Sequence, residues 1–193
     1  MSIDLTEREV RRPGALDGPA KAASDGEVKP CGACSMCCKV LRIKVLDKPA
    51  GEWCGHFSKG VGCGVHGSSP AECRRFQCFW TLSAALGPEW RPDRSKLVLW
   101  SDAPGRIIVD VDPAFSNAWR REPFYGQLKL WSDRNRPMKQ EVLVRAAGRL
   151  WVIFPEADLD LGPQQPDASV DSGYRIEGGR KIPYAEFVEA HAA

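Results

Sequence analysis

Between Cys31 and Cys38 four thiols fall within eight residues, Cys31-Gly32-Ala33-Cys34-Ser35-Met36-Cys37-Cys38, and four more, Cys54, Cys63, Cys73 and Cys78, follow before residue 79. No cysteine occurs after that point. Thiolates are soft, anionic ligands suited to zinc or iron, and a C-x2-C turn lets two of them reach one ion from a single loop. Sulfur confined to one segment therefore predicts a metal-binding region over residues 29–90, with all eight cysteines as candidate ligands. Four disulfides would also use eight cysteines, but the opening Met-Ser-Ile-Asp-Leu-Thr-Glu-Arg-Glu-Val has no apolar core of a secretion signal. A cytoplasmic location is expected on that ground, and reducing conditions there favour metal or redox chemistry over static bridges.

Size and charge exclude other classes. A chain of 193 residues buries a real core and folds without staples. Lys and Arg together number 27 against 25 Asp and Glu, too even a balance for a general nucleic-acid or anionic-membrane footprint, so neither partner is expected. The pairs Arg74-Arg75 and Arg120-Arg121 read as solvated surface. No run approaches the roughly 20 apolar residues that span a bilayer.

Taken in order, residues 1–28 are charged, rich in Gly and Pro, and read as a tail. Residues 40–46 alternate as a half-buried strand, and 69–82 read as a helix with Ser69 as N-cap, Pro70 at its first position and Glu72 completing the cap. After Gly87-Pro88 strands dominate. A hairpin is expected over 96–111, a helix interrupted near Pro123 over 114–134, and two strands at 141–146 and 149–154 that turn at Ala147-Gly148. Residues 155–172 read as loop beginning with a helical turn at Pro155, 174–182 as a hairpin about Gly178-Gly179, and 184–191 as a closing helix. The fold class predicted is α+β: the cysteine region, built of loops and short helices, packs on a small antiparallel sheet with helices that occupies residues 91–193.

Two kinds of centre fit the thiols. Cys31, Cys34 and Cys37 follow C-x2-C-x2-C, the spacing by which a ferredoxin loop holds three corners of a [4Fe-4S] cluster, although no Cys-Pro follows three residues later. Zinc needs only four thiolates in a tetrahedron, and pairs such as Cys34 with Cys37 or Cys73 with Cys78 could contribute. Because adjacent side chains diverge, Cys38 faces either a second site or the core, and eight thiols would complete two sites, for example one cluster and one zinc. His56 and His66 lie within three residues of a thiol and are alternative ligands. His191 is expected to be exposed. Trp53, Phe57, Phe76, Phe79 and Trp80 are expected to form an apolar shell around the centre.

The ordered set Cys31, Cys34, Cys37, Cys38, Cys54, Gly62-Cys63 and Cys73-Arg74-x-Phe76-x-Cys78-x-Trp80 resembles the bacterial YkgJ-type cysteine-cluster family, described as zinc- or iron-chelating domains. It covers about a quarter of the chain. The resemblance implies metal binding by this segment. One branch of the family is similar to flagellin lysine-N-methylases, which carries an implication of an iron-sulfur cluster. That transferase activity is not implied here, because only the cysteine set is shared and no glycine-rich nucleotide loop is present. Two further classes stay open: a redox or group-transfer enzyme using the centre, and a thiol-based metal chaperone or sensor exchanging ions through Cys37-Cys38. Acids such as Asp110, Asp112, Asp158 and Asp160 read as solubilising residues at strand ends and loops, and no G-x-S-x-G, Walker loop or H-E-x-x-H occurs.

Overall fold

A computed structural model describes residues 29–135, 141–165 and 168–188; the expected tail over 1–28 and His191 lie outside them. The cysteine region is made of short pieces: helix α1 (Met36–Val40), a two-strand ribbon of β1 (Phe57–Ser58) and β2 (Gly62–Cys63), and helices α2 (Ala71–Arg75) and α3 (Phe79–Leu82). Helix α4 (Pro92–Ser95) then leads into strands β3 (Leu97–Trp100) and β4 (Ile107–Val111). Helix α5 (Phe124–Asn135) follows, then β5 (Val142–Ala146), β6 (Arg149–Ile153) and β7 (Asp158–Pro163). Strands β8 (Ser169–Glu177) and β9 (Arg180–Val188) end the described chain.

Strands β3 to β7 form one sheet in sequence order, and β8 with β9 form a separate two-stranded ribbon. The α+β expectation holds, with one difference. The sheet is mixed, because β4 and β5 run parallel, Ile107 opposite Val142, while the other neighbours are antiparallel. A parallel pair needs a crossover, and α5 supplies it. It packs Phe124, Leu128 and Trp131 against one face of the sheet, together with Leu99, Val109, Val144 and the fully enclosed Trp119.

Strand alternation places Val98, Asp110, Arg145 and Leu150 in one row of the opposite face and Trp100, Ile108, Leu143 and Val152 in the next. That face has two covers. Over Val98 and Trp100 lies the cysteine region, through Cys34, Met36, Val40, Leu41 and Phe76. Over Leu143, Leu150, Val152 and Phe154 lies the ribbon, through Val170, Tyr174, Ala185 and Phe187.

Several local expectations are corrected. Residues 40–46 are not a strand: α1 runs through Val40 and a 3-10 turn spans Lys44–Leu46, because Lys48, buried at 6% exposure, hydrogen-bonds the carbonyls of Lys39 and Leu41 and pulls the chain back on itself. The single helix over 69–82 is two, broken between Arg75 and Phe79, where Phe76 turns inward against Trp100. Its N-cap is Pro70, and Glu72 accepts from the amides of Lys44 and Val45 rather than closing a cap. Residues 158–163 are strand rather than loop, with no helical turn at Pro155, since β6 offers a free edge that β7 pairs. Residues 184–188 are strand rather than helix, held by the β8 register from Gly173 opposite Tyr184 to Ser169 opposite Val188.

The acids differ as well. Asp110 and Asp112 are buried, not solubilising. Asp112 pairs with Lys39 at 2.7 Å and accepts from the Ala114 amide. Asp158 bridges Arg120 and Lys129, and Asp160 pairs with Arg149. Arg120, exposed as expected, also lies beside Trp119 and Trp151, its guanidinium 3.9 and 4.8 Å from the two rings.

Asp110 accepts from Trp100 Nε1 at 2.5 Å and lies 3.8 Å from Arg145 Nη1. Burial pushes its carboxyl above the usual carboxylate range, with Arg145 and the Trp100 hydrogen bond opposing. A carboxyl raised in the folded state favours folding below its unfolded pKa, and that contribution is lost as pH rises through the folded value. Asp110→Asn keeps an acceptor for Trp100 and removes the titration. It should therefore gain stability relative to the parent as pH climbs from about 4 to about 8, measured by urea unfolding. A difference that stays flat across that range contradicts the buried-carboxyl account.

Candidate metal centre

Each thiol is held by a short element whose own hydrogen bonds explain its position. Gly32, at φ +57°, permits the turn that closes Cys34 N–H onto the Cys31 carbonyl at 3.2 Å. Cys38 N–H donates to Ser35 at 2.9 Å and opens α1, which carries Cys37 and Cys38 side by side. Cys54 N–H donates to the Cys38 carbonyl at 3.0 Å, tying the second loop to the first. From there Phe57 N–H returns to the Cys54 carbonyl, and the β1–β2 register sets Phe57 opposite Cys63. Cys73 sits in α2, and Cys78 is the N-terminal cap residue of α3, its carbonyl accepting from the Thr81 amide and hydroxyl.

All eight cysteines are free, so no bridges form. Cys34 and Cys54 are buried, Cys31 is exposed, and the other five are half-buried. Electrostatic neighbours link them along the segment: burial raises the Cys31 thiol, with Cys34 and Cys38 adding and Arg91 opposing. Burial raises the Cys73 thiol, and the charges of Cys38, Cys54 and Cys63 add to that, with Glu72. Burial raises Cys78 to about 11, and its thiol neighbours are Cys31 and Cys34. For Cys37, the hydrogen bond it donates to Cys38, burial, and the nearby Cys38, Cys31 and Cys34 all push its thiol up. Cys38 receives that bond and is lowered to about 7, burial opposing and Lys48 assisting. Cys38 is thus the thiol shared by neighbours on both sides.

The thiols are neighbours without having converged. Among the described residues no group of three or more His, Cys, Asp or Glu side chains is arranged to hold a metal ion. Comparison with protein-family models, curated proteins and solved structures finds no match for this chain. The donor set nevertheless fits a soft cation: eight unbridged sulfurs in one segment, and beside them a buried ammonium. Lys48 interacts with Cys54, Cys38 and Cys37, and burial lowers its pKa. Four thiolates around a divalent ion leave a net negative charge, and a fixed cation next to them offsets it.

The histidines stand apart, since His56 and His66 are both exposed and the His56 contact of note is its carbonyl, which accepts from Gly64 N–H at 2.8 Å. The aromatic shell is partial. Phe76 packs with Cys34, whereas Phe79 and Trp80 belong to the main core, and Trp53 stacks on Phe57 at 3.9 Å while 46% exposed.

Lys48, Asp110 and Arg145 were missed by sequence reasoning. For the last two a signal existed: Ile107-Ile108-Val109-Asp110-Val111 and Val142-Leu143-Val144-Arg145-Ala146 each carry one charge inside an apolar run, at positions the β4–β5 register sets opposite each other. Among the described residues no helix is long and apolar enough to cross a membrane.

Proposed function

We propose that this is a metal-binding protein whose eight thiols serve two four-cysteine sites, Cys31, Cys34, Cys37 and Cys78 forming one and Cys38, Cys54, Cys63 and Cys73 the other. The carrying observation is eight unbridged thiols tied into one segment by the Cys34–Cys31, Cys38–Ser35 and Cys54–Cys38 backbone bonds. The grouping follows Cys78 beside Cys31 and Cys34, and Cys73 beside Cys38, Cys54 and Cys63, with Cys38 also a neighbour of Cys31 and Cys37. The C-x2-C-x2-C spacing supports a [4Fe-4S] cluster in the first site, and the second, with its paired loops, suits zinc. A bound centre would supply cross-links that order the loops and, as a cluster, a one-electron store. The residues do the rest: Lys48 offsets charge, Phe76 and Met36 exclude water near Cys34. Membership of the YkgJ-type family is part of the same proposal.

The test uses protein purified without oxygen, with metal and acid-labile sulfide measured beside visible absorption. Cys78→Ser should remove the iron, the sulfide and the brown colour while zinc stays. Cys73→Ser should do the reverse. A single substitution that empties both sites would show one shared centre, and colourless protein without sulfide would reject the cluster and leave an all-zinc reading.

A redox or group-transfer enzyme is the second reading. It is favoured by a cleft lined by Cys37, Cys38 and Cys73, which puts the thiols within reach of a small molecule.

A further inference from the structure

Between the two covers of the sheet lies an open cleft of about 720 Å³, within the range of small-molecule sites. Its floor is the sheet, where Trp100, Leu143 and Leu150 border the Asp110–Arg145 pair. One wall is the cysteine region, presenting Leu41 and Phe76, and the other is the ribbon, presenting Val170 and Phe187.

The charge in this cleft is unbalanced. Five cations line it, Arg42, Lys44, Arg75, Arg106 and Arg145, against three acids, Glu72, Asp102 and Asp110. The acids are engaged: Glu72 by two backbone amides, Asp102 by Arg106 at 3.4 Å, and Asp110 by Trp100 and Arg145. Arg42 and Arg75, by contrast, have no ion pair or hydrogen bond among the described residues. Both come from the cysteine region, one after α1 and one at the end of α2. Two unpaired guanidiniums over an apolar floor with an aromatic ring match a ligand that has a charged head and an apolar body.

We propose that the cleft binds a small organic anion, a carboxylate with an apolar or aromatic body, whose head is held by Arg42 and Arg75 and whose body lies on Trp100 and Phe76. The site does not depend on which metal the thiols hold, although Cys37, Cys38 and Cys73 line the same wall.

The test is a fluorescence titration of the full-length, metal-replete protein with 8-anilinonaphthalene-1-sulfonate, with metal content assayed on every sample. One saturable site is expected. 1-Naphthoate should displace the dye, and neutral 1-naphthylmethanol should be at least about tenfold weaker, because a charge-assisted hydrogen bond is worth about that factor or more. Replacing both exposed arginines, Arg42→Gln with Arg75→Gln, should weaken dye and naphthoate by about tenfold or more with metal content unchanged. The same charge change at the ribbon tip, Arg175→Gln with Arg180→Gln, should leave binding as it was. Equal displacement by the neutral compound, an unchanged affinity in the cleft variant, or an equal loss in the ribbon variant would each overturn the proposal. Because metal is read separately, loss of metal with anion binding intact counts against the proposed centres alone.

Discussion

Stripping metal from the anaerobically purified protein should cost the amides of Cys38, Cys54 and Gly64 at least about a hundredfold in hydrogen-exchange protection, while those of Val109 and Val144 keep theirs. The three amides bond to Ser35, Cys38 and His56, all inside the cysteine region. That region contains no helix longer than five residues and no strand longer than two. Elements so short do not hold themselves, since an isolated helix needs about 12–15 residues to be even marginal. Around the first cysteine loop the apolar contribution is small: a buried cluster of Cys34, Met36, Val40 and Val98, with Leu41, Phe76 and Trp100 packed on it. Structural zinc supplies about 10–16 kcal/mol to small all-thiolate or mixed sites, and each 1.4 kcal/mol is a tenfold change in opening. A hundredfold loss is therefore a modest expectation. Val109 and Val144 lie in the interior strands of the sheet, fully buried, with packing that owes nothing to the thiols. Unchanged protection in the cysteine region after metal removal would mean that the loops are self-supporting and that the thiols have no structural ion.

Trp119→Ala should destabilise the protein by about 3–5 kcal/mol in urea unfolding, the range for deleting a large buried aromatic side chain. Trp119 is 1% exposed and sits under Tyr125, Trp151 and the Arg120 guanidinium. Removing it leaves a void on the helix side of the sheet and takes away one of the two rings that hold Arg120 for its bond to Asp158. Bound metal per folded molecule should not change, because the rings and guanidinium that Trp119 meets, Tyr125, Trp151 and Arg120, all lie outside the cysteine region. A loss below about 1 kcal/mol would show that Tyr125 and Trp151 close the gap on their own.

How much was legible beforehand follows from which forces are local. The hairpin of β3 and β4 and the pair β5–β6 were readable because their apolar runs end at turn residues, and Ala147 and Gly148 do adopt the positive φ values of 52° and 72° that a two-residue turn needs. Clustered thiols were readable by count. What failed was whatever depended on a distant partner. Tyr184 to Val188 has no strong local preference and becomes strand because β8 lies alongside. Residues 158–163 do so because β6 does. Phe76 breaks the expected helix over 69–82 to reach Trp100, a contact no window of sequence contains. Asp110 and Arg145 were passed over for the same reason: each looks like an isolated surface charge until the parallel register of β4 and β5 sets them opposite each other.

Cys37 and Cys38 share one peptide unit, their thiols are joined by a hydrogen bond, and the Cys54 amide is fastened to the Cys38 carbonyl. Two ions gripped from the two sides of a single backbone link would not load as strangers. The first to arrive stiffens the hinge on which the second depends, so under-supplied protein would sort into full and empty molecules with few in between.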